Sequence, residues 1–151
     1  MSSIYPSELP EEILNDPYRR AEVKLFRALE NSKLFSTTNI YYSSSWINKG
    51  TKKDRQRDGE CDFIITDKDY GIIFIEVKGG EISKDENNQW YSGKKEIKNP
   101  IQQCNKNMYF IMDEYKSRWK DKHLNDDYPS FFYDSYAFFP DVDYKNKEYL
   151  V

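Results

Sequence analysis

The chain has one histidine, His123, and 2 cysteines, Cys61 and Cys104, in 151 residues. That excludes a zinc module built on paired Cys/His ligands and any disulfide framework beyond one bond. Two reduced thiols in a cytosolic protein is the ordinary reading of such a count. His123 has no Ser or Cys nucleophile context and reads as a surface residue, not as part of a catalytic triad. No glycine-rich phosphate loop of the Walker or dinucleotide type occurs, so no nucleotide-driven motor is encoded. No apolar run approaches the ~20 residues that span a bilayer. The opening MSSIYPSELPEEILNDP lacks the basic-then-apolar order of a signal peptide. The expectation is a soluble, cytoplasmic protein with no membrane partner. A large excess of one charge is missing too. At a net charge of −3, contact with nucleic acid would have to come from a local patch.

What is present is enough apolar residue, 38%, for one ordinary core, and 17% aromatics, 13 of them Tyr. Tyr suits half-exposed positions, where the ring packs and the hydroxyl stays wet. The expected organisation is an N-terminal arm over 1–16, a loose segment or short helix, followed by a single domain over 17–151. The chain could be a whole protein or a piece of a larger one. Asp16-Pro17 starts a helix running to about Asn31, with Tyr18, Leu25, Phe26 and Leu29 as its apolar stripe. TTNIYYSSSWI at 37–47 reads as a strand. Two more strands follow at about 60–66 and 71–78, joined by a tight turn. Residues 79–97 read as irregular or hairpin structure around Trp90. Asn99-Pro100 opens a second helix to about Lys120, with the stripe Ile101, Cys104, Met108, Ile111, Met112, Tyr115 and Trp119. DSYAFFPDV is a last strand. The order gives an α/β layout, with helices packed on a central mixed sheet.

The informative stretch is GECDFIITDKDYGIIFIEVKGG, residues 59–80. Its two apolar runs belong in the middle of a sheet, yet they carry Asp62, Glu76 and Lys78. Strand alternation puts Ile72, Phe74, Glu76 and Lys78 on one face, with Glu76 and Lys78 about 6–7 Å apart. Antiparallel pairing about a turn at Asp69-Tyr70 sets Asp62 nearly opposite Glu76. Facing carboxylates repel, and a divalent cation removes the repulsion. Oxygen ligands favour Mg²⁺ or Mn²⁺ over zinc. A strand-to-strand salt bridge is the plain alternative. It fits poorly where charges interrupt IIFI, because buried charges are rare unless paired or metal-bound. Glu22 falls mid-stripe on the first helix, roughly 20–60° from Leu29, Tyr18, Phe26 and Leu25. It is either a satisfied buried carboxylate or a fourth charge aimed at the same site.

These residues resemble a known family. The order Asp62, Glu76-Val77-Lys78, a helix acid before and a helix Gln after is similar to the PD-(D/E)xK nuclease superfamily. GECDFII, IIFIEVKGG, the following Trp and NPIQQ resemble the nuclease-related domain, NERD, from about Ala21 to FFPDV at 138–142. One departure is that Cys61 stands where the superfamily name has Pro. The resemblance implies a restriction-endonuclease-like fold and a Mg²⁺-dependent deoxyribonuclease. It implies that Asp62, Glu76 and the Val77 carbonyl bind metal. Lys78 would orient the attacking water or steady the transition state. Glu22 would act through a water on the metal, and Gln103 would approach the site. Sequence alone barely separates Gln103 from Gln102; the motif register favours Gln103. Glu60 could be a supporting acid or a strand-end charge. DNA is the implied partner, along with a helicase or other domain or subunit.

The loop NKGTKKDRQR carries Lys49, Lys52, Lys53, Arg55 and Arg57 and leads into the Asp62 strand. It is either a dock for a phosphate backbone or a solvated loop. Trp90 and Trp119 read as packing residues. The alternative function is a catalytically silent nucleic-acid-binding or docking module of a larger DNA-processing or defence protein.

Overall fold

A computed structural model describes residues 2–42 and 61–146. The elements run β1 (Ser3–Tyr5), α1 (Glu11–Leu14), a 3₁₀ turn (Pro17–Arg19), α2 (Arg20–Glu30), β2 (Thr38–Tyr42), β3 (Phe63–Asp67), β4 (Gly71–Val77), β5 (Ile82–Lys84), β6 (Trp90–Ser92), β7 (Lys95–Ile97), α3 (Pro100–Lys122) and β8 (Tyr133–Phe138). The main sheet is mixed, in the order β1-β2-β3-β4-β8. β1–β2 and β4–β8 are parallel, while β2–β3 and β3–β4 are antiparallel. The layout is the α/β arrangement expected from the sequence.

Alternation along the strands sends a helix to each face. Ile40 and Tyr42 of β2, Phe63 of β3 and Val77 of β4 pack with Ala21, Leu25 and Phe26 of α2. Ile64, Ile72 and Phe74, from the other face, pack with Cys104, Met108 and Met112 of α3. Phe26 and Phe63 are fully buried, so α2 meets the sheet through aromatic rings. A satellite core of Ile82, Trp90, Phe139 and Val142 holds the small β5-β6-β7 sheet against the end of β8.

Local chemistry places the start of the 3₁₀ turn that leads into α2 and the start of α3. Asp16 accepts from the Tyr18 N–H ahead of Pro17, and Asn99 accepts from the Ile101 and Gln102 N–H groups around Pro100. These are side-chain caps of orphan donors, with Pro where its missing N–H costs nothing. The β3–β4 turn is fixed by Asp67 Oδ1, which accepts from Asp69 N–H at 2.9 Å, and by Gly71 at φ +102°. A Cβ on Gly71 would lie 2.0 Å from the Phe132 carbonyl oxygen, so only glycine fits there.

Several expectations are corrected. Within the segment read as a loose arm or short helix, the short helix is present as α1, and the segment also supplies β1, paired in parallel to β2, and buries Leu9 in the α2 core. Its polar composition hides a three-residue edge strand. Tyr18 is 93% exposed, because residues 17–19 form a 3₁₀ turn that takes it off the α2 stripe. On α3, Ile101 and Tyr115 are exposed, while Asn107, outside the apolar pattern, is buried. Residues 79–97 keep the hairpin half of their reading: two successive hairpins make a three-stranded antiparallel meander with Trp90 in its middle strand. The strand read over 37–47 is β2 as far as Tyr42; its remainder lies outside the described residues.

Candidate active site

The β3–β4 register pairs Phe63 with Ile75 and Asp67 with Gly71. The connection is therefore Lys68–Tyr70, one residue longer than a two-residue turn, and one further step along the register sets Asp62 opposite Glu76. The ladder stops at Phe63, and the Val77 N–H donates to Asp62 Oδ2 at 2.7 Å. Asp62 thus closes the end of the sheet with its side chain. Across from it Glu76 is 5% exposed, and Lys78 Nζ donates to Glu76 Oε1 at 2.8 Å. Parallel pairing with β8 continues past the strand end, through Lys78 N–H to the Phe138 carbonyl at 3.0 Å. Glu76 and Lys78 are therefore anchored from the β8 side and Asp62 from the β3 side.

Glu22 enters from α2. Its Oε2 accepts from the Tyr42 hydroxyl at 2.5 Å and from Arg19 Nη1 at 3.3 Å. Arg19 Nη1 also donates to the Tyr42 hydroxyl oxygen at 3.3 Å. The electrostatics tie Glu22 to the sheet end. Burial, then the charges of Glu76 and Glu22, push the Asp62 carboxyl well above the usual carboxylate range, against the pull of the Val77 N–H and Lys78. Burial and the bond to Glu22 push the Tyr42 phenol far above its ordinary value, so it stays a donor. Three carboxylates and one ammonium from a helix and two strands thus share one electrostatic neighbourhood.

Gln103 is half-buried in the first turn of α3, whereas Gln102 is exposed. Its neighbour Cys104 feels the charge of Glu76 and meets the Phe74 and Tyr136 carbonyls. Cys61 and Cys104 are hydrogen-bonded thiols beneath the site, and that bond, ahead of burial, pushes the Cys61 thiol up. Lys49, Lys52, Lys53, Arg55, Arg57 and Glu60 lie outside the described residues. His123 sits on the surface with its ring against Trp119. Trp90 is buried against Phe139.

Sequence reading did not single out Tyr42, Arg19 or Asp141. The signal for Tyr42 was available. Thr38, Ile40 and Tyr42 alternate onto the core face of β2, and a buried tyrosine needs a partner for its hydroxyl. Asp141 joins three segments beside the site. Lys24 of α2 and the Gly80 N–H, two residues past Lys78, both donate to its carboxylate. The Lys24 bond, then the Gly80 bond, hold the Asp141 carboxyl below the usual carboxylate range. A lowered folded value means the contribution is present above the unfolded value, about 4, and lost as pH falls through the folded one. Asp141→Asn is expected to melt below wild type at pH 7, with the gap closing as pH drops below about 4. A gap of constant size across that range, in melting curves, contradicts an ionic role.

Among the described residues, no group of three His, Cys, Asp or Glu side chains is arranged to hold a metal ion. The donor set that the family resemblance implies is different: two carboxylates and a backbone carbonyl. It consists only of hard oxygens, and the charge repulsion that adds to burial in lifting Asp62 is what a divalent cation would relieve. In that chemical sense the residues fit such an ion, although Asp62 and Glu76 each give one oxygen to an internal hydrogen bond here.

The nuclease-related domain family matches the chain over residues 19–140, from the end of the 3₁₀ turn to just past β8. Neither a curated protein nor a solved structure matches it significantly. Among the described residues, no helix is long and apolar enough to cross a membrane.

Proposed function

The chain belongs to the nuclease-related domain (NERD) family and has its restriction-endonuclease-like α/β fold, and from that premise we propose that it is a Mg²⁺- or Mn²⁺-dependent phosphodiesterase acting on DNA. The observation that carries the reading is the convergence of Asp62, Glu76, Glu22 and Lys78 at the end of the central strand pair. Asp62, Glu76 and the Val77 carbonyl are the residues that would hold the cation. When bound, a divalent ion supplies positive charge that stabilises the developing phosphorane and eases ionisation of water.

The chain's own groups account for the rest. Lys78 is half-buried and held by Glu76, so its ammonium is aimed rather than mobile, as a group stabilising charge on a phosphate must be. Glu22, a carboxylate on the opposite side of the sheet end, can orient a water by accepting its hydrogen. Gln103, half-buried at the α3 start, would supply a further polar group. DNA would approach from outside the sheet end. Cytoplasmic location, and work beside a helicase or another subunit, are parts of the same proposal.

The test is incubation of the purified protein with supercoiled and linear DNA in Mg²⁺ or Mn²⁺. The expected outcome is cleavage that stops when a chelator removes the ion. Binding of DNA without cleavage at any metal concentration would instead support the silent docking module.

A further inference from the structure

Glu22 would be a weak tool if it were free to turn. A glutamate side chain, with three rotatable bonds, has many rotamers, and each misplaced one is lost to the site. The structure surrounds it with an ordered support that begins in the core. The Tyr42 ring is 4% exposed, edge-on to Phe26 at 5.9 Å and tilted on Phe63 at 5.0 Å. Those rings fix the position of the hydroxyl. The hydroxyl donates to Glu22 Oε2, and Arg19 Nη1 bridges that same oxygen and the hydroxyl oxygen. Arg19 is itself held by Asp16, the residue that caps the turn into α2. The result is a closed triangle of Tyr42, Arg19 and Glu22.

We propose that Tyr42, with Arg19 behind it, is a positioning residue that fixes Glu22 by one oxygen, Oε2, so that Oε1 serves the Asp62–Glu76 centre. Both donors of the triangle engage Oε2 and neither engages Oε1. A core aromatic thus sets the geometry of a polar site from within. The assignment deepens the nuclease reading and rests on it for the role given to Glu22. The bland alternative is a hydrogen bond that only stabilises the α2–β2 contact.

Tyr42→Phe decides between them, since it keeps the ring and removes only the hydroxyl. It is measured beside Glu22→Gln and the double variant. Three readouts are taken: melting without metal, Mn²⁺ affinity by calorimetry, and kcat and KM on DNA. The expected Tyr42→Phe result is kcat lower by about 10- to 100-fold, the span of a lost charge-assisted hydrogen bond, with KM little changed. Mn²⁺ binding weakens by about threefold to tenfold for the same reason. In the Glu22→Gln background, Tyr42→Phe adds no further loss, because its effect passes through Glu22. Arg19→Lys keeps part of the wild-type rate and Arg19→Ala does not.

Equal kcat loss from Tyr42→Phe with and without Glu22→Gln overturns the assignment, as does wild-type kcat in Tyr42→Phe. Failure of the nuclease reading looks different. There the wild type binds Mn²⁺ without cutting DNA, and the calorimetric comparison alone decides: weaker binding in Tyr42→Phe supports the assignment and unchanged binding overturns it. A wild type that neither cuts nor binds Mn²⁺ overturns both.

Discussion

Glu76→Gln is expected to lower DNA cleavage by at least about a thousandfold, the scale seen when a charge that serves the transition state is removed. The substitution is chosen for its shape. Glu76 is 5% exposed and its Oε1 accepts from Lys78. An amide keeps that volume, and its carbonyl oxygen can still accept from the ammonium. What is lost is the negative charge, and with it one of the two carboxylates that would hold the cation. The half-buried Lys78 can turn its ammonium toward water, so the fold is expected to survive. Lys78→Ala is a less clean instrument. It removes the ammonium that balances a buried carboxylate, an imbalance that costs more than loss of an exposed charge. Steady-state cleavage together with a melting curve separates the two effects. Activity of Glu76→Gln within about tenfold of wild type would sink the role given to Glu76.

Asp62→Asn carries the second large effect, and its two halves have opposite sign. Cleavage should be lost to a similar extent, because the other carboxylate is gone. The metal-free protein should become more stable. Asp62 is pushed up by burial first, then by Glu76 and Glu22. Its protonated form is therefore the one that favours the folded state. For a raised group, that stability is fully present below the unfolded value near 4 and is lost as pH rises through the folded value. At neutral pH without metal, the wild type bears the repulsion and the amide does not. The Asn side-chain oxygen can still accept from the Val77 N–H. A rise of about 2–6 °C in melting temperature at neutral pH is expected, shrinking as pH falls toward 4. Lower stability of Asp62→Asn in chelator would mean that the carboxylate is structurally favourable and that the three acids do not repel. A site that destabilises its own scaffold is the common cost of function.

The parts of this molecule that were legible in its sequence share a cause. Asp16-Pro17 and Asn99-Pro100 announce helices because capping and proline act locally. The β3–β4 pairing was readable because two apolar runs flank one short turn, so a single register satisfies both. The family match over residues 19–140 agrees with what GECDFII, IIFIEVKGG and NPIQQ suggest. The elements that were not legible depend on distant partners. β1 is three residues held extended by pairing with the edge of β2 and by Ile4 packing on the α2 core. Tyr18 looked like part of a stripe because a 3₁₀ turn and an α-turn are not distinguished by spacing over so few residues. Asp141 lies far along the chain from Lys24 and Gly80, and no local pattern connects them. Tyr42 was one tyrosine among 13, and only its depth beside Glu22 sets it apart.

The two sulfhydryls have a practical consequence. Cys61 immediately precedes Asp62 and Cys104 immediately follows Gln103, and both are sealed where α3 lies on β4. Any reagent that alkylates them must first catch these two segments apart. Their rate of modification is thus a built-in clock for how often the floor of the centre breathes, read without adding a probe to the chain.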